Sequence, residues 1–205
     1  MKNILFIMLT GFLIAGCNEK KEEVKQCCNT KNEQKVTKDL IDQLPGTSVY
    51  QLDGDWTSHK GKPLKLNQLT GKPVVLTMIF THCEYACPMM VNDLKMIEQE
   101  FSSQERNEFN FVLVSFDYVR DKQERLESYA VSQGLDDNWI LLHGGESQVK
   151  ELSVTLNISY EMLENGSFSH TNRKLVLDKQ GRIVYSQNGL QTNSEPVVEA
   201  IRSLL

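Results

Sequence analysis

No run of lysine and arginine long enough to neutralise a row of phosphates occurs in the 205 residues, and the formal net charge is −5. Both facts speak against nucleic acid as a partner. A glycine-rich phosphate loop, a Ser/His/Asp arrangement and a paired-carboxylate motif are also missing, so nucleotide binding, serine-type acyl transfer and two-carboxylate chemistry lack their residues. Cysteine is scarce. The five, Cys17, Cys27, Cys28, Cys83 and Cys87, are not spread along the chain as a framework of structural disulfides would be. No internal repeat is visible, and compositional bias is confined to one segment. What remains is a chain with 40% hydrophobic residues, enough at this length for one domain with a sizeable core.

The first segment stands apart from that domain. Lys2 gives a short positive start, Ile4 to Ala15 is an apolar run too short to span a bilayer comfortably, and small residues close it, as in a secretory signal. Its ending, Ile14-Ala15-Gly16-Cys17, resembles a bacterial lipobox, in which the cysteine becomes the lipid-bearing first residue of the mature protein. The alternative is an uncleaved anchor with a chance cysteine. Either way the expectation is an exported domain held at a membrane on its extracytoplasmic, periplasmic side. Loss of residues 1–16 would remove Lys2 and no acid, leaving 21 basic against 27 acidic residues. Residues 17–45 then form a lipidated cysteine and a polar tether rich in Lys, Glu, Gln and Asn, too poor in apolar residues to repay the entropy of ordering. Cys27 and Cys28 lie in that tether, where adjacent cysteines bridge only with strain and little preorganises a site.

Residues 46–205 read as one α/β domain. Pro45-Gly46 marks its boundary, and Ser48 to Leu52 is expected to be a short strand. Val74 to Phe80 is apolar and β-branched enough for a buried parallel strand, and Met90, Leu94, Ile97 and Phe101 recur at helical spacing behind it. Phe109 to Phe116 predicts a second strand. Asp121 is a plausible N-cap for a helix that buries Leu126, Tyr129 and Ala130 and stops at Gly134. Trp139 to Leu142 and a helix carrying Val149, Leu152 and Leu156 follow. Arg173 to Leu177 and Ile183 to Ser186 flank Asp178-Lys179-Gln180-Gly181 as a hairpin, and Ser194-Glu195-Pro196 opens a last helix. Alternating strands and helices predict a central, mostly parallel sheet with flanking helices. Closed by a C-terminal β-hairpin plus helix, this is the order of a thioredoxin-like fold.

Chemistry concentrates at Phe80-Thr81-His82-Cys83-Glu84-Tyr85-Ala86-Cys87-Pro88, where the first strand ends and the helix begins. Helix-terminal N–H groups and the helix dipole favour thiolate over thiol there, so the pair suits reactive or metal-binding work. Cys-x-x-x-Cys is one residue wider than the thioredoxin spacing, which lets both sulfurs converge on one ion, and soft thiolates select Cu(I). A two-sulfur site wants a third ligand. His170, just before the hairpin strand, is the best-placed imidazole, against the alternative of a loop histidine with an ordinary hydrogen-bond partner.

Phe80-Thr81-His82-Cys83 to Cys87-Pro88, Val114-Ser115-Phe116-Asp117 with Arg120-Asp121, and Ser169-His170 followed by Leu175 to Gly181 together resemble the SCO/SenC family over residues 46–205. The resemblance implies a thioredoxin-like domain that binds one copper ion, Cu(I) or Cu(II), through Cys83, Cys87 and His170. It further implies delivery of copper or reducing equivalents to the dinuclear copper site of cytochrome c oxidase or another exported copper protein. Asp117 would then lie near the site, orienting His170 or tuning the thiols, or would cap nearby backbone N–H groups instead. Two positions depart from the family: Glu84-Tyr85 stand where Pro-Asp is common, and Tyr118 where proline is common.

Other candidates read differently. Met89 and Met90 fall in step with Leu94 and Ile97 and belong to the core. His82, when protonated, could stabilise the Cys83 thiolate. His59 is expected to be a solvated loop histidine, and His143 closes a strand with no visible partner. Two functions follow. One is a lipid-anchored copper chaperone; the alternative is a membrane-anchored thiol-disulfide oxidoreductase in which Cys83 attacks and Cys87 resolves.

Overall fold

The computed structural model describes residues 43–205. The expected signal segment, Cys17, and Cys27 and Cys28 lie outside the described residues. In chain order the strands are β1 (Trp56–Ser58), β2 (Pro63–Leu64), β3 (Val74–Ile79), β4 (Asn110–Ser115), β5 (Trp139–His143), β6 (Tyr160–Met162), β7 (Phe168–His170), β8 (Arg173–Leu177) and β9 (Ile183–Asn188). The helices are α1 (Ala86–Gln99), α2 (Ser103–Arg106), α3 (Gln123–Ser132), α4 (Glu146–Thr155) and α5 (Glu195–Arg202).

A seven-stranded sheet in the order β2-β1-β5-β4-β3-β8-β9 forms the centre, and β6-β7 pair separately. Strands β3, β4 and β5 are parallel, as their unbroken apolar runs predict, with Val74 opposite Asn110 and Phe111 opposite Trp139. All six residues of β3 are buried. The one polar side chain among them, Thr77, satisfies its hydroxyl by donating to the Arg173 carbonyl at 2.7 Å. Antiparallel strands flank this core: β8 and β9 beside β3, and β1 with β2 beside β5.

The hairpin β8-β9 turns at Gly181, whose φ is +79° and whose added Cβ would meet the Tyr50 ring at 2.5 Å. Only glycine suits both demands. Gly134, at φ +58°, follows the C-cap of α3, in keeping with its expected role as a stop.

Three expectations are corrected. Ser48 to Leu52 is not a strand: the Ser48 hydroxyl accepts from the Tyr50 N–H and caps a 3-10 turn over Val49–Gln51, leaving an isolated bridge to Arg182. Asp121 is not the N-cap of α3. Lys122 holds that position without a side-chain bond, and Asp121 is fully buried, its carboxylate turned to Thr81 and Ser115. His59 is not solvated either. It is buried, its N–H donates to the Leu141 carbonyl at 2.8 Å, and its Nδ1 accepts the Leu141 N–H at 3.2 Å, so the ring completes the edge of β5 that β1 is too short to cover.

Candidate metal centre

Two stretches of chain meet at the C-terminal end of β3. Cys83 lies in the loop after β3, Cys87 in the first turn of α1, and His170 at the end of β7. The loop between β3 and α1 is pulled tight by sulfur contacts: the Phe80 N–H approaches Cys87 Sγ at 3.4 Å, and the Cys87 N–H approaches Cys83 Sγ at 3.3 Å. Cys87 is buried and Cys83 half-buried, so one thiol faces solvent and the other lies beneath it.

The two sulfurs are electrostatically unequal. A hydrogen bond from the Cys87 side chain lowers the Cys83 pKa to about 5, assisted by the Cys87, Tyr85 and Ala86 N–H groups and opposed by partial burial. Cys87 moves the other way, because the same hydrogen bond and its burial favour the protonated thiol. A thiolate above and a thiol below is therefore the resting form at neutral pH.

His170 faces this pair across the sheet ends. Its Nε2 lies 4.0 Å from Cys87 Sγ, and its ring packs edge-on to Phe80 at 6.0 Å and against Phe116 at 5.0 Å between centroids. Both phenylalanines directly follow buried strands, so the aromatic seat of the imidazole is built by the sheet itself. Ligand atoms of Cys83, Cys87 and His170 all lie within 4.8 Å of one another. Metal–sulfur and metal–nitrogen bonds of about 2.3 and 2.0 Å let a sulfur and a nitrogen on one ion lie up to about 4.3 Å apart, and two sulfurs up to about 4.6 Å, so the 4.0 Å between Cys87 Sγ and His170 Nε2 is within reach of a shared ion. The donor set fits a soft or borderline ion that takes thiolate and imidazole together.

Beside the thiols opens a cleft of about 520 Å³ lined in part by His82, Cys83, Tyr85, Arg120, Phe168 and His170. Tyr85, between the cysteines, is 73% exposed. Asp117 is buried, and its carboxylate accepts from the Arg120 backbone N–H at 3.1 Å and from the Arg120 guanidinium, which in turn stacks over the Phe168 ring. His82, Asp117 and Asp121 form a second close group, but both carboxylates already have partners. Met90 is buried as expected for the core, whereas Met89, also expected there, is only half-buried; His143 closes β5 with its Nε2 buried and without a hydrogen-bond partner among the described residues.

Sequence reasoning missed the support beneath the cysteine loop. Asp121 accepts from the Thr81 N–H at 2.8 Å, the Thr81 hydroxyl at 2.6 Å and the Ser115 hydroxyl at 2.7 Å. Arg125 donates to the Thr81 hydroxyl and carbonyl from the far side. The adjacency of Arg120-Asp121 to the second motif was the available signal, but a carboxylate before a helix reads equally well as a cap.

A thioredoxin-like α/β domain with a thiol pair at a strand–helix junction and an imidazole facing it is the class that fold and site define. The SCO1/SenC family model matches residues 46–205, and the chain belongs to that family. Among solved structures it is similar to a SCO1/SenC family lipoprotein from Bacillus anthracis, at 26% identity and TM-score 0.68, covering 75% of this chain and 94% of that one. It is also similar to copper-bound ScoI from Bradyrhizobium japonicum, at 20% identity and TM-score 0.65, covering 74% and 97%. BsSco, reported as a member of the Sco family of cytochrome c oxidase assembly proteins with a disulfide switch, aligns at 22% identity and TM-score 0.64, covering 73% and 90%. Comparison with curated protein sequences finds no significant match.

Proposed function

We propose that this protein is a copper chaperone that carries one copper ion between Cys83, Cys87 and His170 and supports assembly of the copper centre of cytochrome c oxidase. The observation that carries the reading is the convergence within 4.8 Å of two sulfurs from one loop-to-helix stretch and one imidazole nitrogen from a strand 83 residues further on. Membership of the SCO1/SenC family and the copper bound to a relative of the same fold support it. Copper is the cargo, so the chain's own task is to hold the sulfurs reduced and the imidazole in place, then release the ion. The Cys83 thiolate offers a ligand at neutral pH, and Cys87 gives up its proton when the ion enters.

The test is titration of the purified reduced protein with Cu(I) and Cu(II), comparing wild type with His170→Ala and Cys87→Ala. One ion per chain is expected for wild type and severe weakening for both variants. Oxidation to a Cys83–Cys87 disulfide should abolish binding. Equal stoichiometry in the oxidised and reduced forms would sink the reading.

A second reading is favoured by the unequal thiols. As an oxidoreductase, the Cys83 thiolate attacks a partner disulfide and expels one partner thiolate. Cys87 then attacks Cys83 Sγ, the mixed disulfide breaks, and the Cys87 proton passes to the second departing partner sulfur. Cys83–Cys87 is left oxidised and the partner reduced. Under that reading His170→Ala leaves exchange rates unchanged, and the reduced wild type takes up no copper.

The lipobox-like Cys17 and the lipoprotein nature of the B. anthracis relative support an exported protein anchored by lipid to a bacterial membrane. Growth with a labelled fatty acid should tag the wild type and not Cys17→Ala; a wild type that takes up no label would argue for an uncleaved anchor.

A further inference from the structure

Helix α1 carries Cys87, and the chain running from β7 into β8 carries His170, so the site depends on how these two pieces are held together. Asp93 lies six residues beyond Cys87 and Lys174 four residues beyond His170. Both are buried, at 7% and 2% exposure. Lys174 Nζ donates to Asp93 Oδ2 at 2.9 Å and to the Gly189 carbonyl at 3.2 Å, and the Gln191 N–H donates to the same Asp93 oxygen at 2.8 Å. Among the described residues, no other hydrogen bond links α1 to β8. The pair also clamps the turn after β9, where Gly189 and Gln191 both take positive φ.

A buried ion pair is a poor choice for stability alone, because desolvation of two charges offsets their attraction and an apolar pair of similar volume serves as well. Direction is what the charged pair adds. Six helical residues rise about 9 Å, and four extended residues reach about 13 Å. The cross-link is therefore roughly one helical turn or two behind the metal centre, close enough that a slip of α1 along β8 moves Cys87 Sγ relative to His170 Nε2. Binding sites held by several elements lose function when their supporting contacts loosen by about 1 Å.

We propose that Lys174 and Asp93 are positioning residues for the metal centre, a buried charged cross-link that sets the spacing between the Cys87 sulfur and the His170 imidazole. The inference rests on the copper reading, which His170→Ala tests separately. The experiment compares full-length wild type with the double variant Asp93→Leu/Lys174→Met, and with Asp93→Asn should the double variant not fold. Thermal unfolding, Cu(I) affinity and the NMR shifts of the His170 ring protons in the metal-free protein are measured on each.

The double variant is expected to unfold cooperatively near the wild-type midpoint, the Gln191 N–H and Gly189 carbonyl left without partners offsetting the relief from burying two charges, yet bind Cu(I) at least about tenfold more weakly. Its His170 ring-proton shifts, set by Phe80 and Phe116, should move. Asp93→Asn should show a smaller loss of affinity and a smaller shift in the same direction. Wild-type affinity with unmoved His170 shifts in a folded variant would overturn the inference while leaving the copper reading intact. A wild type that takes up no copper, with His170→Ala indistinguishable from it, would overturn both.

Discussion

At the scale of single residues, the decisive feature is the unequal pair of thiols. Cys83 and Cys87 are four positions apart across the start of one helix, yet the hydrogen bond between them drives Cys83 toward thiolate and, together with burial, keeps Cys87 protonated. A pH prediction follows. With its pKa lowered from 9.0 to about 5, Cys83 is ionised through the neutral range, so its alkylation rate should be flat above roughly pH 6 and fall as pH drops through about 5. Because the folded pKa is depressed, ionisation of Cys83 favours the folded state fully above the ordinary thiol value and loses that contribution as pH falls through about 5. Iodoacetamide kinetics on the reduced protein, with alkylation of Cys83 followed by peptide mass spectrometry and Cys83→Ala as control, check this. A rate still climbing between pH 7 and the ordinary thiol value of 9.0 would contradict it.

At the scale of elements, the loop that carries the thiols is held from below by Asp121. Asp121→Ala leaves the Thr81 N–H and two hydroxyls without their acceptor in a buried place, at a cost of about 2–4 kcal/mol. Asp121→Asn keeps one acceptor oxygen and should cost less. Urea unfolding of both variants measures the difference, and a loss below about 0.5 kcal/mol for Asp121→Ala would show that the loop is held elsewhere. The same residue shows where sequence reading ends. Strands β3, β4 and β5 and the hairpin β8-β9 were legible because apolar runs and turn residues are local signals. Asp121 was misread because a cap and a buried acceptor have the same local context, and only the return of Thr81, forty residues earlier, separates them. His59 was misread for a similar reason, its partner Leu141 being 82 residues away. Strands of two or three residues, such as β1, β2, β6 and β7, carry too few side chains for alternation to show.

At the scale of the whole molecule, the sheet brings together a thiol pair and an imidazole that are 83 residues apart. The parallel strands end at one edge, Phe80 and Phe116 line that edge, and the β6-β7 hairpin lowers His170 onto it. The Cys-x-x-x-Cys motif and His170 were legible in the sequence, and the family resemblance joined them as one ligand set; the buried Lys174–Asp93 link was not, because it depends on a chain crossing that no local pattern records. Glu84 and Tyr85, exposed between the thiols, place the departure from the family pattern on the solvent-facing side of the site.

X-ray absorption at the copper edge of the loaded, reduced protein measures the ligand set directly. Two sulfur scatterers and one imidazole nitrogen are expected in wild type, with the imidazole signature lost in His170→Ala and one sulfur lost in Cys87→Ala. A copper centre without sulfur, or one that keeps the same imidazole in His170→Ala, would contradict the account.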